Sequence, residues 1–188
     1  LVGYNMLSAD GKKLWTYPIE KDHTDEIVMG KFRGDGKGYF ACVSGTEGFF
    51  IGDFEGNIIA RDMIGHAQRV SVANYCGDRE GFEIAVTNFW GHQGVLYLYD
   101  ADGNQIWETE NEMNGNLLTP VNWDGNGVEM ILTNADAQKG GLLNGAGVRS
   151  VVFPEDGHPT LCCEAFDLCG DEREELVCWD YEKMYIYT

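Results

Sequence analysis

Short apolar runs recur along the whole chain, each broken by a turn of Asp, Gly and Asn. The pattern is fullest over residues 161–188. An alternating run leads into the acidic turn Gly170-Asp171, then come Glu175-Leu176-Val177-Cys178-Trp179, a second turn, and a last run at 184–188. Such a stretch predicts strand, turn, strand, turn, strand. Weaker copies lie upstream, with the acidic turns in register at Asp35, Asp78, Asp124 and Asp171, spaced by 43, 46 and 47 residues. A second turn type, a hairpin turn of the Asp-Gly kind, keeps the same period. Its glycines, Gly11, Gly56 and Gly103, are 45 and 47 residues apart, and an outer strand follows each. Two turn types holding one period argue against coincidence. No window sustains apolar residues at i, i+3 and i+4, so helices are not expected. A repeat in the forties built only of strands predicts an all-β chain, a β-propeller of four-stranded antiparallel blades.

The turns divide the chain into a blade end at 1–19, full blades at 20–62, 63–110 and 111–156, and a partial blade at 157–188. Inner strands are expected at 26–32, 69–75 and 118–123. The third full blade takes its second and third strands from 129–133 and 149–153. Between these lies a long Gly-, Asn- and Asp-rich loop, 135–147, of a length more often functional than accidental. The outer strands of 1–17 could pair with 158–188 into a shared blade, closing four in all. Four is the lower limit for a closed propeller, so a segment of a larger ring is the preferred expectation.

The formal net charge is −18. That excess argues against binding a phosphate backbone, which needs clustered Lys and Arg. No apolar run is long enough for a membrane helix. The chain opens at Leu1 with no basic-then-apolar leader, as expected of a numbering that starts inside a longer or processed polypeptide. The six cysteines include the neighbours Cys162 and Cys163 and contain no C-x-x-C pair, so buried free thiols are expected. There is no Walker-type loop and no Gly-x-Ser-x-Gly nucleophile elbow.

The last blade carries a resemblance. CEAFDLCGDEREELVCW followed by MYIYT is similar to the closing repeat of the rhamnogalacturonan lyases of polysaccharide lyase family 11, with Gly170-Asp171-Glu172-Arg173-Glu174-Glu175 as its most specific part. The blade from His66 also resembles that family. His66-Ala67-Gln68-Arg69, an apolar strand and Gly-Asp-Arg-Glu-Gly-Phe-Glu-Ile echo its His-x-x-Arg … Pro-Gly-Leu-Glu-Val signature. The chain departs where the family carries a His-Glu pair, continuing as AVTNFW, and it is much shorter than the family's catalytic core. The resemblance covers about two-thirds of the chain. It implies an eight-bladed, calcium-binding propeller, secreted or surface-exposed, acting on an acidic polysaccharide.

Candidate site residues follow from chemistry and register. His23 and His66 each stand twelve residues before an acidic-turn aspartate and His158 thirteen before, all just ahead of a first strand. In a propeller that position is the rim of the central channel. A lyase removes a proton beside a uronate carboxylate, which requires a positive charge on the carboxylate and a base nearby. His66 and Arg69 supply both kinds of group, and Lys139 on the long loop is a second candidate base. Asn88, Trp90 and His92 form a loop suited to a sugar ring, joined as binding candidates by His23, Asn134 and His158. Trp15 and Trp107 occupy equivalent outer-strand positions and are read as packing. For calcium, the oxygen-rich turns offer Asp124, Asn126 and Glu129, and Asp167, Asp171 and Glu174, without matching an EF-hand loop.

Two functions from different classes compete. One is a polysaccharide lyase cleaving rhamnogalacturonan-type pectic glycan by calcium-assisted β-elimination. The other is a non-catalytic carbohydrate- or protein-binding calcium propeller, or another propeller enzyme acting on rhamnose- or uronate-containing glycans.

Overall fold

The computed structural model describes residues 2–19, 23–45, 47–89, 94–110 and 117–188. The described residues form strands joined by turns: β1 (Val2–Leu7), β2 (Lys13–Ile19), β3 (Thr24–Gly30), β4 (Tyr39–Ser44), β5 (Gly48–Asp53), β6 (Ile58–Asp62), β7 (Ala67–Ala73), β8 (Glu83–Asn88) and β9 (Val95–Tyr99). There follow β10 (Gln105–Glu110), β11 (Thr119–Val121), β12 (Met130–Asn134), β13 (Gly141–Leu143), β14 (Arg149–Val151), β15 (Cys162–Phe166), β16 (Glu175–Trp179) and β17 (Met184–Tyr187). Among the described residues no helix is long and apolar enough to cross a membrane.

Each strand pairs antiparallel with its neighbour in sequence, giving separate sheets β1-β2, β3 to β6, β7 to β10, β11 to β14, and β15 to β17. The sheets stack face to face through alternating side chains. On β4, Phe40 and Cys42 join Tyr4, Ile19 and Phe50 in a core facing β1 and β2. Tyr39, Ala41 and Val43 point the other way, into a core with Val70, Ile84 and Val86. The period of two in a strand thus divides one sheet between two cores. For this reason β4 and β8 are buried along their whole length, while the outer strand β6 alternates half-buried and exposed. Further cores join Ala85 and Leu98 to Leu118 and Ile131, and Leu132 and Leu142 to Leu176 and Cys178.

The repeated turns have a local cause. Asp53 Oδ1 accepts from the Asn57 backbone N–H at 2.8 Å and Asp100 Oδ1 from that of Asn104 at 2.9 Å, closing both hairpins the same way. Gly56 and Gly103 between them hold φ of 95° and 85°, a region that favours glycine. The acidic turns likewise bond their own backbone, Asp35 to Lys37 at 3.0 Å and Asp171 to Arg173 at 2.8 Å.

The structure departs from the sequence reading in two places. First, β3 and β7 begin two residues earlier than expected, so they start next to His23 and His66. Second, the 135–147 segment is not one loop. It contains β13, which makes β14 the fourth strand of its sheet rather than the third. A three-residue Gly-Leu-Leu strand is too short to display a period of two. β1-β2 and β15 to β17 are separate sheets, so the shared blade, the less preferred of the two arrangements, is not formed.

Candidate functional site

The first strands of two adjacent sheets, β3 and β7, pack against each other. The residues at their starts converge. His23 immediately precedes β3, and Asp25 is the residue at which the β3–β4 register shifts. His66 stands immediately before β7. His23 Nε2 is 3.3 Å from Asp25 Oδ1, His66 Nε2 is 3.8 Å from Asp25 Oδ2, and the imidazole centroids are 4.9 Å apart. The His23 side chain is 53% exposed, against 13% for His66 and 7% for Asp25, so His23 forms the mouth and the other two the floor.

Hydrogen bonds between the strands fix this arrangement. Gln68 Nε2 donates to Asp25 Oδ1 at 2.9 Å. Glu26 Oε2 accepts both from Arg69 Nε at 3.0 Å and from the Val70 backbone N–H at 2.7 Å. The Phe89 N–H donates to the His66 carbonyl at 2.7 Å, holding the residue after β8 beside the imidazole. Asn88 is buried at the end of β8, opposite Ala67, and donates to the Ile64 carbonyl at 3.3 Å. The buried polar atoms here that make no hydrogen bond include His66 Nε2 and Asn88 Oδ1. Buried polar groups are usually paired, so an imidazole nitrogen left over at the floor of the cluster points to a missing partner.

Among the described residues, His23, Asp25 and His66 are the group of His, Cys, Asp and Glu side chains whose donor atoms lie close enough for a cation, all within 4.8 Å of one another. Two imidazoles and a carboxylate suit a divalent ion that accepts nitrogen. Calcium prefers six to eight oxygens. The oxygen-rich alternative is a groove of about 570 Å³ between the last two sheets, lined by Asn126, Glu129, Asp167, Asp171 and Glu174. It gathers five of the six residues expected to bind calcium; Asp124 is not in its lining. Some of its oxygens are already engaged: Glu174 accepts from the Asn122 N–H at 2.7 Å, Asp167 from Gly170 at 2.6 Å, and Asp171 pairs with Arg173 at 3.0 Å. Glu129 Oε2 is buried with no hydrogen bond, and burial raises the pKa of its carboxyl.

Of the residues expected from sequence, the structure brings His23 and His66 together, with Arg69 and Asn88 on the adjoining strands β7 and β8. Trp90 and His92 lie outside the described residues. Lys139 is elsewhere, lining a groove with Gln138 and Arg149 of the third full sheet. Asn134 Oδ1 accepts from the Asp136 N–H at 2.9 Å, capping the turn after β12. His158 is buried away from His66. Its Nδ1 bonds Asp156 Oδ1 at 2.8 Å and its Nε2 the Ala135 carbonyl at 2.6 Å. A carbonyl and an ionised carboxylate only accept, so this setting favours the imidazolium, in which both nitrogens donate. Burial works against that charge, but the bonds to Ala135 and Asp156 outweigh it and raise the pKa of the ring. Tyr187 donates to Asp156 as well, at 3.0 Å, so the group clamps the last sheet to the one before. The two outer-strand tryptophans also join neighbouring sheets, Trp15 Nε1 to the Phe54 carbonyl at 2.9 Å and Trp107 Nε1 to that of Gly145 at 2.8 Å.

Asp25, Glu26 and Gln68 were missed by the sequence reading. The available signal was the nearness of Asp25 in sequence to His23; the register shift at Asp25 that sets its placement carries no sequence mark.

No family model matches the sequence, and no curated protein matches it. Among solved structures, the chain is similar to the rhamnogalacturonan lyase PL11 of Bacillus licheniformis, with a TM-score of 0.65 and 22% identity over 95% of this chain and 31% of that one. It is similar to the exotype rhamnogalacturonan lyase YesX with a TM-score of 0.70 and 18% identity, over 97% of this chain and 33% of that one. For the rhamnogalacturonan lyase YesW the TM-score is 0.56 and the identity 16%, over 94% of this chain and 38% of that one. The chain spans about a third of the length of these proteins, and the likeness is one of fold.

Proposed function

We propose that this chain is part of a polysaccharide lyase that cleaves a rhamnogalacturonan-type pectic glycan by β-elimination, with its site at His23, Asp25, His66 and Arg69. Under this reading the sheets are blades of a larger propeller, and the protein acts outside the cell, where pectic polymers occur. The observation that carries it is the convergence of two imidazoles and a buried carboxylate at the starts of β3 and β7, with the Arg69–Glu26 ion pair linking the same two strands. The fold shared with rhamnogalacturonan lyases supports the substrate class.

In such a reaction a base takes the C5 proton of a uronate. The electron pair forms the C4–C5 double bond, the C4–O bond breaks, and the leaving oxygen gains a proton. A divalent cation, when bound, supplies positive charge to the substrate carboxylate and so makes the C5 proton acidic. Asp25 and His66, on the floor, would hold it. Arg69, ion-paired with Glu26 on the same two strands, would offer a second positive charge to the substrate carboxylate only by exchanging Glu26 for it. His23, the exposed imidazole, is the group that can take the proton. Calcium is proposed for the acidic groove that Glu129 lines, where the donors are oxygens.

The test is ultraviolet absorbance of unsaturated product from pectic rhamnogalacturonan, using the full polypeptide that contains this chain, with divalent cations added. Product that disappears in His66→Ala and Arg69→Ala, with glycan binding kept, supports the lyase. A parent protein that releases no such product sinks it. The second reading, a carbohydrate-binding protein without catalysis, is favoured by the absence of a His-Glu pair in Ala85-Val86-Thr87-Asn88-Phe89-Trp90.

A further inference from the structure

We infer that Cys163 and Cys178 form a cross-strand disulfide that staples the β15–β16 hairpin. The two residues stand directly opposite each other in the antiparallel pair, and their sulfurs are 3.3 Å apart. Directly opposed residues in such a ladder have Cα atoms about 4.5–5.5 Å apart. That lies inside the range of about 4.4–6.8 Å that a disulfide spans. Bond formation therefore needs side-chain torsions to adjust and no strand to move.

The other cysteines lack this placement. Cys162 is next in sequence but faces the opposite side of β15, across from Trp179. Cys42 sits between Ile27 and Phe50 across its two ladders. Cys76 Sγ contacts the Gly145 carbonyl, and Cys169 is exposed.

The surroundings favour a bond that needs no hydrogen-bonding partner. Both thiols lie in the core between the last two sheets, Cys178 with 0% and Cys163 with 3% of its surface exposed. The bond would close a ring through the acidic turn that places Asp167, Asp171 and Glu174 along the groove. It would also restrain a sheet of three strands where the preceding three have four. Constraining the unfolded chain in this way stabilises the native hairpin.

The chemistry is thiol–disulfide exchange with a low-molecular-weight disulfide or an oxidised dithiol as oxidant. The Cys178 thiolate attacks a sulfur of the oxidant and displaces one thiol. The Cys163 thiolate then attacks the Cys178 sulfur and displaces the second. Two thiols become one disulfide, and the two protons they lose pass to the two thiolates released from the oxidant, which is thereby reduced to two thiols. Because both sulfurs are buried once the sheets stack, exchange takes place as the hairpin closes during folding.

The experiment is refolding of the protein containing this chain in glutathione redox buffer, followed by denaturing alkylation and peptide mapping. The expected result is a linked Cys163–Cys178 peptide with Cys42, Cys76, Cys162 and Cys169 alkylated, and all six alkylated after reduction. Cys162→Ser should keep the link and Cys163→Ser should abolish it. Thermal melting of the wild-type protein should show a higher midpoint oxidised than reduced. Six alkylated cysteines after oxidative refolding, or a link through Cys162, overturns the assignment. An unchanged melting midpoint with the bond formed overturns the stapling role.

Discussion

The imidazoles of His23 and His66 come from different sheets yet stand 4.9 Å apart, with the Asp25 carboxylate reaching both. Each ring occupies the position immediately before the first strand of its sheet, so the packing of β3 on β7 is what brings the rings together. Side chains from two stacked sheets form a site that neither sheet has alone. Replacing Asp25 with Asn keeps the shape and the oxygen that accepts from Gln68, but removes the charge. Calorimetric titration of the protein with zinc and with calcium should show affinity at the cluster falling at least about tenfold in Asp25→Asn. Equal affinity in variant and parent would mean that the cluster holds no cation.

Glu26 ties the strands together beneath this site. Its Oε2 accepts from both Arg69 and the backbone of Val70, a residue that is itself buried. Truncation to Ala strands the Val70 N–H, which costs about 1–3 kcal/mol. Urea denaturation of Glu26→Ala should show a loss of that size, whereas Glu26→Gln should recover much of it.

His158 makes stability depend on pH in a definite direction. Its pKa is raised in the folded state, opposed by burial and driven by the Ala135 carbonyl and Asp156. The contribution is therefore complete below the ordinary imidazole value of about 6.5 and disappears as pH rises through the folded value. Asp156 has a lowered pKa, as its hydrogen bonds outweigh desolvation, so its share is present above the ordinary carboxylate range and lost in acid. Melting curves of wild type and His158→Gln should be furthest apart in weak acid and converge toward alkaline pH. A constant gap across that range counts against a charged ring.

Burial raises the Glu129 pKa, so the folded protein holds that proton more tightly than the unfolded chain. Stability from this group falls as pH rises through the folded value. Glu129→Gln should remove that slope. Calcium should raise the melting temperature of wild type more than that of the variant, as measured by scanning calorimetry with and without chelator. An equal calcium response in both proteins would take Glu129 out of the ligand set.

Gly52 on β5 has no space for a side chain, since a Cβ built there would lie 2.1 Å from Phe40 Cζ. Gly52→Ala must displace a ring packed against Phe50 and Trp15. Overpacking of this kind costs about 1–3 kcal/mol. Chemical denaturation gives the value directly, and paired substitution with Phe40→Leu should recover part of it.

The sequence by itself determined the strands, their turns and the repeat. Side-chain alternation and Asp-Gly hairpins act within a few residues, and copies such as Asp53-Asn57 and Asp100-Asn104 reinforce one another. It also marked His23 and His66 by register, because equivalent positions in a repeat fall at the same end of each sheet. It could not rank the three histidines, since His158 stands at almost the same offset but turns inward to bond Ala135. Nor could it separate Cys163 from Cys162, or find β13 within a Gly-rich segment. Those distinctions depend on which side chains face one another across a ladder or between stacked sheets. Contacts between residues far apart in the chain set that, and only the tertiary packing supplies them.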